Sequence, residues 1–195
     1  ATVVRAAVQN ADGVFSDVVS QTYFVTTSNL AQYQDLTVVS LVTNPENLFD
    51  PDTGIYVTGN QYLDWKNSDA YNPDKSVWDT DNLTNYFSKG KEWEREAALT
   101  VFQDGKAVVD QNIGIRIKGA SSRNSAQKNF NLYARSTYGA SKISYPLIPN
   151  NYAADGTLID QYDSVSLRAV SEEGRLRDGF SQKLLTDRTN LTKQD

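Results

Sequence analysis

Apolar and polar residues alternate with a period of two along much of this chain, which is the pattern of half-buried β-strands. The clearest run covers residues 113–118, in which three isoleucines alternate with Gly114, Arg116 and Lys118. A polar loop of small and hydroxyl-bearing residues follows, and a second alternating run begins at Lys128. The spacing therefore predicts a strand, a polar loop and a second strand.

Other runs of the same kind lie on both sides of this pair. They predict strands at residues 2–9, 18–25, 36–43, 55–57, 97–103, 106–110 and 163–169. Asp-Gly, a dipeptide typical of hairpin turns, joins the first two of these runs and also joins 97–103 to 106–110. Because no helical pattern separates one strand from the next, the sheet is predicted to be mainly antiparallel.

One stretch near the end of the sequence has helical periodicity instead. Leu176, Phe180 and Leu184 recur at i, i+4 and i+8 while charged residues take the opposite face, which predicts a helix over 175–188. The fold class predicted is therefore α+β, a mainly antiparallel sheet with a C-terminal flanking helix.

Residues 61–91 show neither the period of two of a strand nor the period of a helix. They are rich in Asn, Asp, Tyr and Ser and carry Trp65 and Trp78, so they are predicted to form a long surface insertion. Tryptophans exposed among polar residues can stack on sugars, whereas in a long loop they more often pin the loop to its domain. The sequence leaves both interpretations open.

Composition narrows the class of protein. The 195 residues are 39% apolar and 22% charged, which is ordinary for a soluble globular chain with one good-sized domain, or one domain plus a fragment. The net charge of -5 argues against nucleic acid as the main partner. No apolar run approaches the roughly 20 residues that span a bilayer, so membrane insertion is not predicted.

Cysteine, histidine and methionine are all absent. Their absence excludes disulfides, thiol nucleophiles, the usual zinc sites and a Ser-His-Asp triad within these residues. Lack of cysteine, an acidic pI and many Asn, Thr, Ser and Tyr residues fit a bacterial protein that is secreted or held at the cell surface.

The segment Asp50-Pro51-Asp52-Thr53-Gly54 has the spacing with which a calcium-binding loop begins. It lacks the distal glutamate that completes such a loop, and Pro-Asp-x-Gly is ordinary turn chemistry. A turn is therefore favoured here, and no metal site is predicted.

Lys128 is the residue that most needs a chemical explanation. It falls in phase with Phe130 and Leu132, so its ammonium is placed on the core-facing side of the strand. That position is costly unless the ammonium reaches solvent along its stem or meets an anion. In the second case the loop is a phosphate-binding corner, and spacing alone does not separate the two. The candidate ligands of such a phosphate are Arg116, Ser121, Ser122, Arg123 and Lys128.

The first residues resemble a different kind of module. Thr-Val-Val-Arg-Ala-Ala-Val, an Asp-Gly turn and a second strand resemble the last two strands of the β-sandwich found at the C-terminal end of chitobiases. The domain organisation predicted is the end of a β-sandwich at 1–26, a linker at 27–35 and a second domain at 36–195. A lone hairpin is marginal in water, so this one is expected to lean on the next domain or on strands upstream.

Several segments after the hairpin carry a family resemblance when taken in order. They are Leu48-Phe49-Asp50, Thr53-Gly54-Ile55-Tyr56-Val57, Trp93-Glu94-Arg95, Gly114-Ile115-Arg116-Ile117-Lys118-Gly119-Ala120-Ser121-Ser122-Arg123, Gln127-Lys128-Asn129-Phe130, Tyr138-Gly139, Ser166-Leu167-Arg168 and Arg177-Asp178. Together they resemble the N-terminal half of the spore-coat CotH kinase family, over about residues 36–188.

The resemblance implies a secreted, atypical protein kinase with a distant kinase-like fold, which binds ATP with Mg or Mn and phosphorylates protein hydroxyls. Residues 116–122 would be the nucleotide-facing loop. Lys128 would match the strand lysine that contacts nucleotide phosphates in ordinary kinases. The helix over 175–188 would be the counterpart of a kinase's αC helix, and Asp178 or Glu173 would then orient that lysine, whereas a solvated helix face is the ordinary role of such charges.

The family's later block, with an Asn-Gly-x-Tyr-x-Gly-x-Tyr strand pair and the aspartates expected to act as base and metal ligand, does not occur before Asp195. The kinase domain is therefore expected to be incomplete, with no catalytic residue in this fragment and no phosphoryl transfer by it alone. Whether the chain serves an enzyme stays open from sequence. The alternative is an extracellular adhesion, scaffold or carbohydrate-binding module without catalysis, with polysaccharide as a partner.

Overall fold

The structure is a computed structural model that describes residues 1–24, 33, 36–75, 83–169, 180, 181, 184 and 188. Its strands are β1 (Thr2–Ala6), β2 (Val19–Tyr23), β3 (Val38–Val42), β4 (Arg95–Gln103), β5 (Lys106–Lys118), β6 (Asn129–Tyr133), β7 (Ile143–Ser144), β8 (Gln161–Tyr162) and β9 (Ser164–Leu167). Two short α-helices are α1 (Pro45–Phe49) and α2 (Asn60–Lys66). Single 3₁₀ turns lie at Asn85–Phe87, Lys91–Trp93 and Ser121–Asn124.

A five-stranded sheet in the order β3-β4-β5-β6-β9 is the centre of the fold. Every neighbouring pair in it is antiparallel, which confirms the mainly antiparallel sheet predicted from the sequence. The strands predicted at 106–110 and 113–118 are one continuous strand of 13 residues, β5. β5 pairs with β4 on one side and with β6 on the other, so it is the central strand of the sheet.

One face of this sheet is the hydrophobic core and the other is polar. Ile113, Ile115 and Ile117 are at most 4% exposed, as their alternation predicted. The residues that pair with these isoleucines on β4 and β6 point to the same face of the sheet, since residues opposite each other in a sheet point the same way. The other face of β5 carries Arg116 and Lys118. The core cluster consists of Ile55, Ala97, Leu99, Val101, Val109, Ile113, Ile115, Ile117, Leu132, Ala134 and Ile143.

The β1–β2 hairpin leans on the sheet through β2. The hydroxyls of Thr22 and Ser40 are 2.8 Å apart, and the ring of Phe24 meets that of Phe102 edge-on with centroids 4.9 Å apart. All five residues of β1 are exposed. The hairpin therefore touches the sheet with one strand only.

Two parts of the chain differ from their predictions. Residues 55–57 are not a strand: the amides of Ile55 and Tyr56 donate to carbonyls of α1, which holds this segment over the core. In the stretch predicted as a surface insertion, residues 84–87 are all buried. A 3₁₀ turn with every side chain buried has no amphipathic period, so the pattern gave no sign of it.

Most of the predicted helix at 175–188 lies outside the described residues, and so does Trp78. Four positions of that stretch are described as helical, and two of them, Phe180 and Leu184, are 66% and 46% exposed. At these two positions the apolar stripe of the predicted helix is therefore exposed. In the described part of the chain, no helix has the length and apolar character to cross a membrane.

Candidate functional site

A cleft of about 560 Å³ opens beside the start of β6. It is bounded by the end of α1, the segment that follows it, the 3₁₀ turn Asn85–Phe87 and the loop at 119–128. Its lining includes Phe49, Tyr56, Leu63, Tyr86, Ser125 and Lys128. Its walls are thus partly aromatic and apolar and partly polar, through Thr58, Asn124 and Ser125, with one ammonium at the sheet end.

Lys128 lies on the core side, as its phase with Phe130 predicted, and is only 7% exposed. Its Nζ donates to the carbonyls of Arg123 at 2.8 Å and Ser125 at 3.0 Å. The same nitrogen is 4.0 Å from the ring centroid of Tyr86. Burial lowers the pKa of Lys128, while the two carbonyls and the ring favour its charged form. No described carboxylate pairs with this buried ammonium.

Arg123 holds the loop from behind the cleft. It is 8% exposed, and its Nε donates to the carbonyl of Gly119 at 2.6 Å. One of its η nitrogens donates to the carbonyls of Tyr86 and Ser88 at 3.0 and 3.1 Å. Burial lowers the pKa of this guanidinium. Its contacts fix the loop at 119–128 against the segment at 84–88, so Arg123 positions the site and does not line it.

Two tyrosines that the sequence did not single out shape the cleft. The hydroxyl of Tyr56 accepts from the amide of Lys128 and donates to the carbonyl of Ala126, both at 3.0 Å. The hydroxyl of Tyr86 donates to Asn124 Oδ1 at 3.0 Å, and burial raises its pKa. Both rings are thus fixed on the loop. Tyr56 lies in one of the segments that resemble the CotH kinase family, but no sequence signal pointed to Tyr86.

Arg116 lies on the opposite face of the sheet from Lys128. Its guanidinium carbon is 4.1 Å from the ring centroid of Tyr133, while the ring of Tyr56, beside Lys128, stacks on Phe130. Phe130 and Tyr133 are three residues apart in one strand and therefore point to opposite faces. The structure does not bring Arg116 and Lys128 together around one anion.

The two serines of the predicted site also lie away from the cleft. Ser121 is exposed at the start of its 3₁₀ turn. Ser122 Oγ accepts from the side-chain amide of Asn129 at 3.1 Å, and Asn129 pairs with Lys118 on the polar face. Of the five predicted phosphate ligands, only Lys128 lines the cleft.

A second cluster of charges is built around Glu94, whose side chain is fully buried. Arg135 donates to both of its carboxylate oxygens, from Nε at 2.7 Å and from an η nitrogen at 3.0 Å, and this contact raises the pKa of Arg135. Arg116 Nε lies 3.3 Å from Glu94 Oε2 without making a hydrogen bond. A Cβ on Gly114 would lie 2.5 Å from Glu94 Oε1, so the glycine makes room for the carboxylate.

Residues 50–54 form the turn that was favoured from the sequence. Asp50 Oδ1 accepts from the amides of Asp52 and Thr53 and from the Thr53 hydroxyl, which lowers the pKa of Asp50. Among the described residues, no group of three or more acidic, histidine or cysteine side chains is placed to hold a metal ion.

Fold and site together define a class: an antiparallel β-sheet protein with a buried ammonium at the sheet end of an aromatic cleft. Comparison of the chain with protein-family models, with curated proteins and with solved structures gives no match. The resemblance of residues 36–188 to the CotH kinases therefore stands on the sequence segments that carry it.

Proposed function

We propose that residues 36–195 are the nucleotide-binding portion of a CotH-like atypical protein kinase that phosphorylates protein hydroxyls at the bacterial cell surface or outside the cell. The observation that carries the proposal is Lys128, a buried ammonium that lines the cleft and has no described carboxylate partner. In ordinary kinases a lysine on a strand of an antiparallel sheet holds nucleotide phosphates, and Lys128 immediately precedes such a strand.

The cleft suits a nucleotide in size and in chemistry. Its volume of about 560 Å³ is within the range typical of small-molecule sites. Phe49 and Tyr56 have ring centroids 6.2 Å apart, and Phe49 is 58% exposed, so an aromatic surface is open to a purine base. At the other end Lys128 offers the positive charge that a phosphate needs.

Lys128 has one donor left for a phosphate. An ammonium has three N–H groups, and the carbonyls of Arg123 and Ser125 occupy two of them. The third has no hydrogen-bond acceptor among the described residues, and the ring of Tyr86, which lines the cleft, lies 4.0 Å from the ammonium nitrogen. A phosphate that reached this N–H from the cleft would gain a charge-assisted hydrogen bond in exchange for the contact with the Tyr86 ring, and the two hydrogen bonds to the loop carbonyls would be kept.

ATP is proposed to bind together with Mg or Mn, which would neutralise phosphate charge when bound. By the family resemblance, the ligands of that ion would be aspartates of the family's later block. The residues of this chain bind and orient the nucleotide, and the chemical step needs the aspartates of the family's later block. The chain is accordingly expected to bind ATP without transferring its phosphate.

Titration calorimetry with ATP and Mg²⁺ tests the proposal on the whole chain. We expect saturable binding that Lys128→Met weakens about tenfold or more, because a charge-assisted hydrogen bond is lost. Lys89→Met removes an exposed lysine close to the buried 84–87 segment and should leave the affinity unchanged. Adenosine, which has no phosphate, should bind both variants equally. Binding of ATP that is absent, or equally strong in the Lys128 variant, would refute the role of Lys128.

A variant that does not fold would also fail to bind ATP, so the circular dichroism spectrum of each variant is first compared with that of the wild type. Lys128→Arg supplies a second test, because it keeps the charge and can still donate to the loop carbonyls. We expect its affinity for ATP to lie between those of the wild type and Lys128→Met.

One observation favours a second candidate function, carbohydrate binding. The ring of Trp65 on α2 contacts those of Tyr62 and Tyr71, with centroids 5.6 and 5.1 Å apart, and Tyr71 is 39% exposed. This aromatic cluster is separate from the hydrophobic core. Retention on insoluble polysaccharide that is lost in Trp65→Ala and kept in Tyr152→Ala, where an exposed tyrosine elsewhere is removed, would support it. Equal retention of both variants would exclude it.

A further inference from the structure

The β1–β2 hairpin exposes a large apolar surface. Every residue from 1 to 19 is exposed. The side chains of Val3, Val4, Val8, Phe15 and Val19 are between 45% and 74% exposed. Apolar groups that cluster at the surface of a soluble protein mark interaction sites, whereas isolated ones do not. The hairpin is therefore a candidate interaction surface.

The outer side of β1 is an open strand edge. In the described part of the chain β1 pairs with β2 only, within a two-stranded sheet. Its other side thus offers a row of backbone N–H and C=O groups to a further strand. Edge strands are commonly protected from such pairing by lysine, proline or a bulge. β1 contains neither lysine nor proline, and its register with β2 is regular.

A strand added at this edge would leave the known contacts of the hairpin unchanged. The contacts with the five-stranded sheet come from β2, where Thr22 meets Ser40 and Gln21 Nε2 donates to Asp110 Oδ2 at 2.9 Å. A two-stranded hairpin is marginally stable in water, and three or more strands with an apolar face are stable. Pairing at β1 would supply the missing strands.

A second copy of the chain fits this edge by symmetry. Two identical strands that pair antiparallel around a twofold axis present the same groups to each other, so the contact closes after two copies. An axis through Val4, the middle of β1, pairs all five residues of the strand. It places Val4 opposite Val4 and Val3 opposite Arg5 of the second copy. An axis through Arg5 would instead set two like charges opposite each other, which is unfavourable.

We propose that this protein forms a symmetric dimer in which the two β1 strands pair antiparallel around Val4 and join the two hairpins into one four-stranded sheet. A five-residue edge buries less than the roughly 800 Å² per partner of a standard stable interface, so the dimer is expected to be weak and reversible. The proposal goes beyond nucleotide binding and does not depend on it, because no residue of the hairpin lines the cleft.

Cross-linking of the whole chain through one introduced cysteine tests the pairing. The chain has no cysteine of its own, so a disulfide reports on the introduced position alone. Val4→Cys would place two thiols on directly opposite residues, whose Cα atoms are about 4.5–5.5 Å apart and within reach of a disulfide. Val19→Cys is the matched control, since this exposed valine lies on β2 and its two copies would be about 14 Å apart or more. Under mild oxidation we expect covalent dimer at least tenfold faster for Val4→Cys.

Sedimentation velocity at increasing protein concentration provides the second measurement. We expect a monomer–dimer equilibrium in the wild type, with a dissociation constant that Val4→Lys raises roughly threefold to tenfold because it sets two ammonium groups opposite each other. Val19→Lys adds the same charge one strand away and should leave the constant unchanged. Both valines are exposed, so neither substitution removes a buried contact.

Three results would overturn the proposal. The first is a wild type that stays monomeric at every concentration, and the second is equal cross-linking of the two cysteine variants. The third is a dimer that Val19→Lys weakens and Val4→Lys does not, because the hairpins would then associate through their faces and not through the β1 edges.

Discussion

Lys128 Nζ donates a 2.8 Å hydrogen bond to the backbone carbonyl of Arg123, and the guanidinium of Arg123 in turn donates to the carbonyls of Tyr86 and Ser88. Two buried cations thus satisfy backbone carbonyls and not acids. Their hydrogen bonds link the loop at 119–128 to the segment at 84–88 and hold the two sides of the cleft together.

Replacement of Lys128 by methionine should therefore lower stability as well as any ligand affinity. The change leaves the carbonyls of Arg123 and Ser125 without their donor, which costs about 1–3 kcal/mol when such groups stay buried. Urea unfolding should show this loss in the free energy of unfolding. Lys89→Met, at an exposed position, should stay within about 0.5 kcal/mol of the wild type. An unchanged midpoint for Lys128→Met would show that water replaces the ammonium at no cost.

Glu94→Gln should destabilise the protein by leaving Arg116 and Arg135 without their shared carboxylate. A fully buried pair would cost about 3–5 kcal/mol to break, but both arginines reach solvent, so we expect about 1–2 kcal/mol. In that background Arg116→Gln should cost less than it does in the wild type, because it removes a repulsive neighbour of Arg135.

A double-mutant cycle measured by urea unfolding checks this coupling, which we expect to be about 0.5–1 kcal/mol. Thr100→Ala is a control on the same face of the sheet that does not contact Glu94. Strictly additive effects of the two substitutions at Glu94 and Arg116 would show that the two side chains do not interact.

Gly114→Ala should destabilise the sheet although alanine fits the backbone. The added Cβ would lie 2.5 Å from Glu94 Oε1, and the fully buried carboxylate has little room to move. Overpacking of this kind costs about 1–3 kcal/mol. Asn112→Ala, two residues earlier on the same face and exposed, should have a much smaller effect in thermal unfolding. Wild-type stability for Gly114→Ala would mean that Glu94 shifts without cost.

The turn at 50–54 should contribute stability that acid removes. The pKa of Asp50 is lowered in the folded chain by hydrogen bonds from Thr53 and Asp52, so its contribution is present above the ordinary value of 3.8 and is lost as pH falls through the folded pKa. A carbon-detected NMR titration should place the midpoint of Asp50 below 3.8. The stability difference between the wild type and Asp50→Ala should shrink over the same range. A midpoint at or above 3.8 would contradict the turn contacts.

The alternating pattern of 113–118 was enough to predict a strand, its buried face and an antiparallel neighbour beginning at Lys128. Those features follow from local rules, because a period of two fixes which side chains share a face. The same rule placed the ammonium of Lys128 on the core side. The buried turn at 84–87 could not be predicted, since its burial depends on contacts with residues far along the chain.

The sequence by itself determined the strands of the five-stranded sheet, the antiparallel order of the meander and the core-facing position of Lys128, because each depends on residues close together in the chain. Only the tertiary structure decided what the charged groups do. It places Arg116 and Lys128 on opposite faces of the sheet. It also directs the guanidinium of Arg123 to backbone carbonyls of a distant turn and places the carboxylate of Glu94 between two arginines. The physical reason is that burial, and the partners that make a buried charge tolerable, are set by long-range packing that no local pattern encodes.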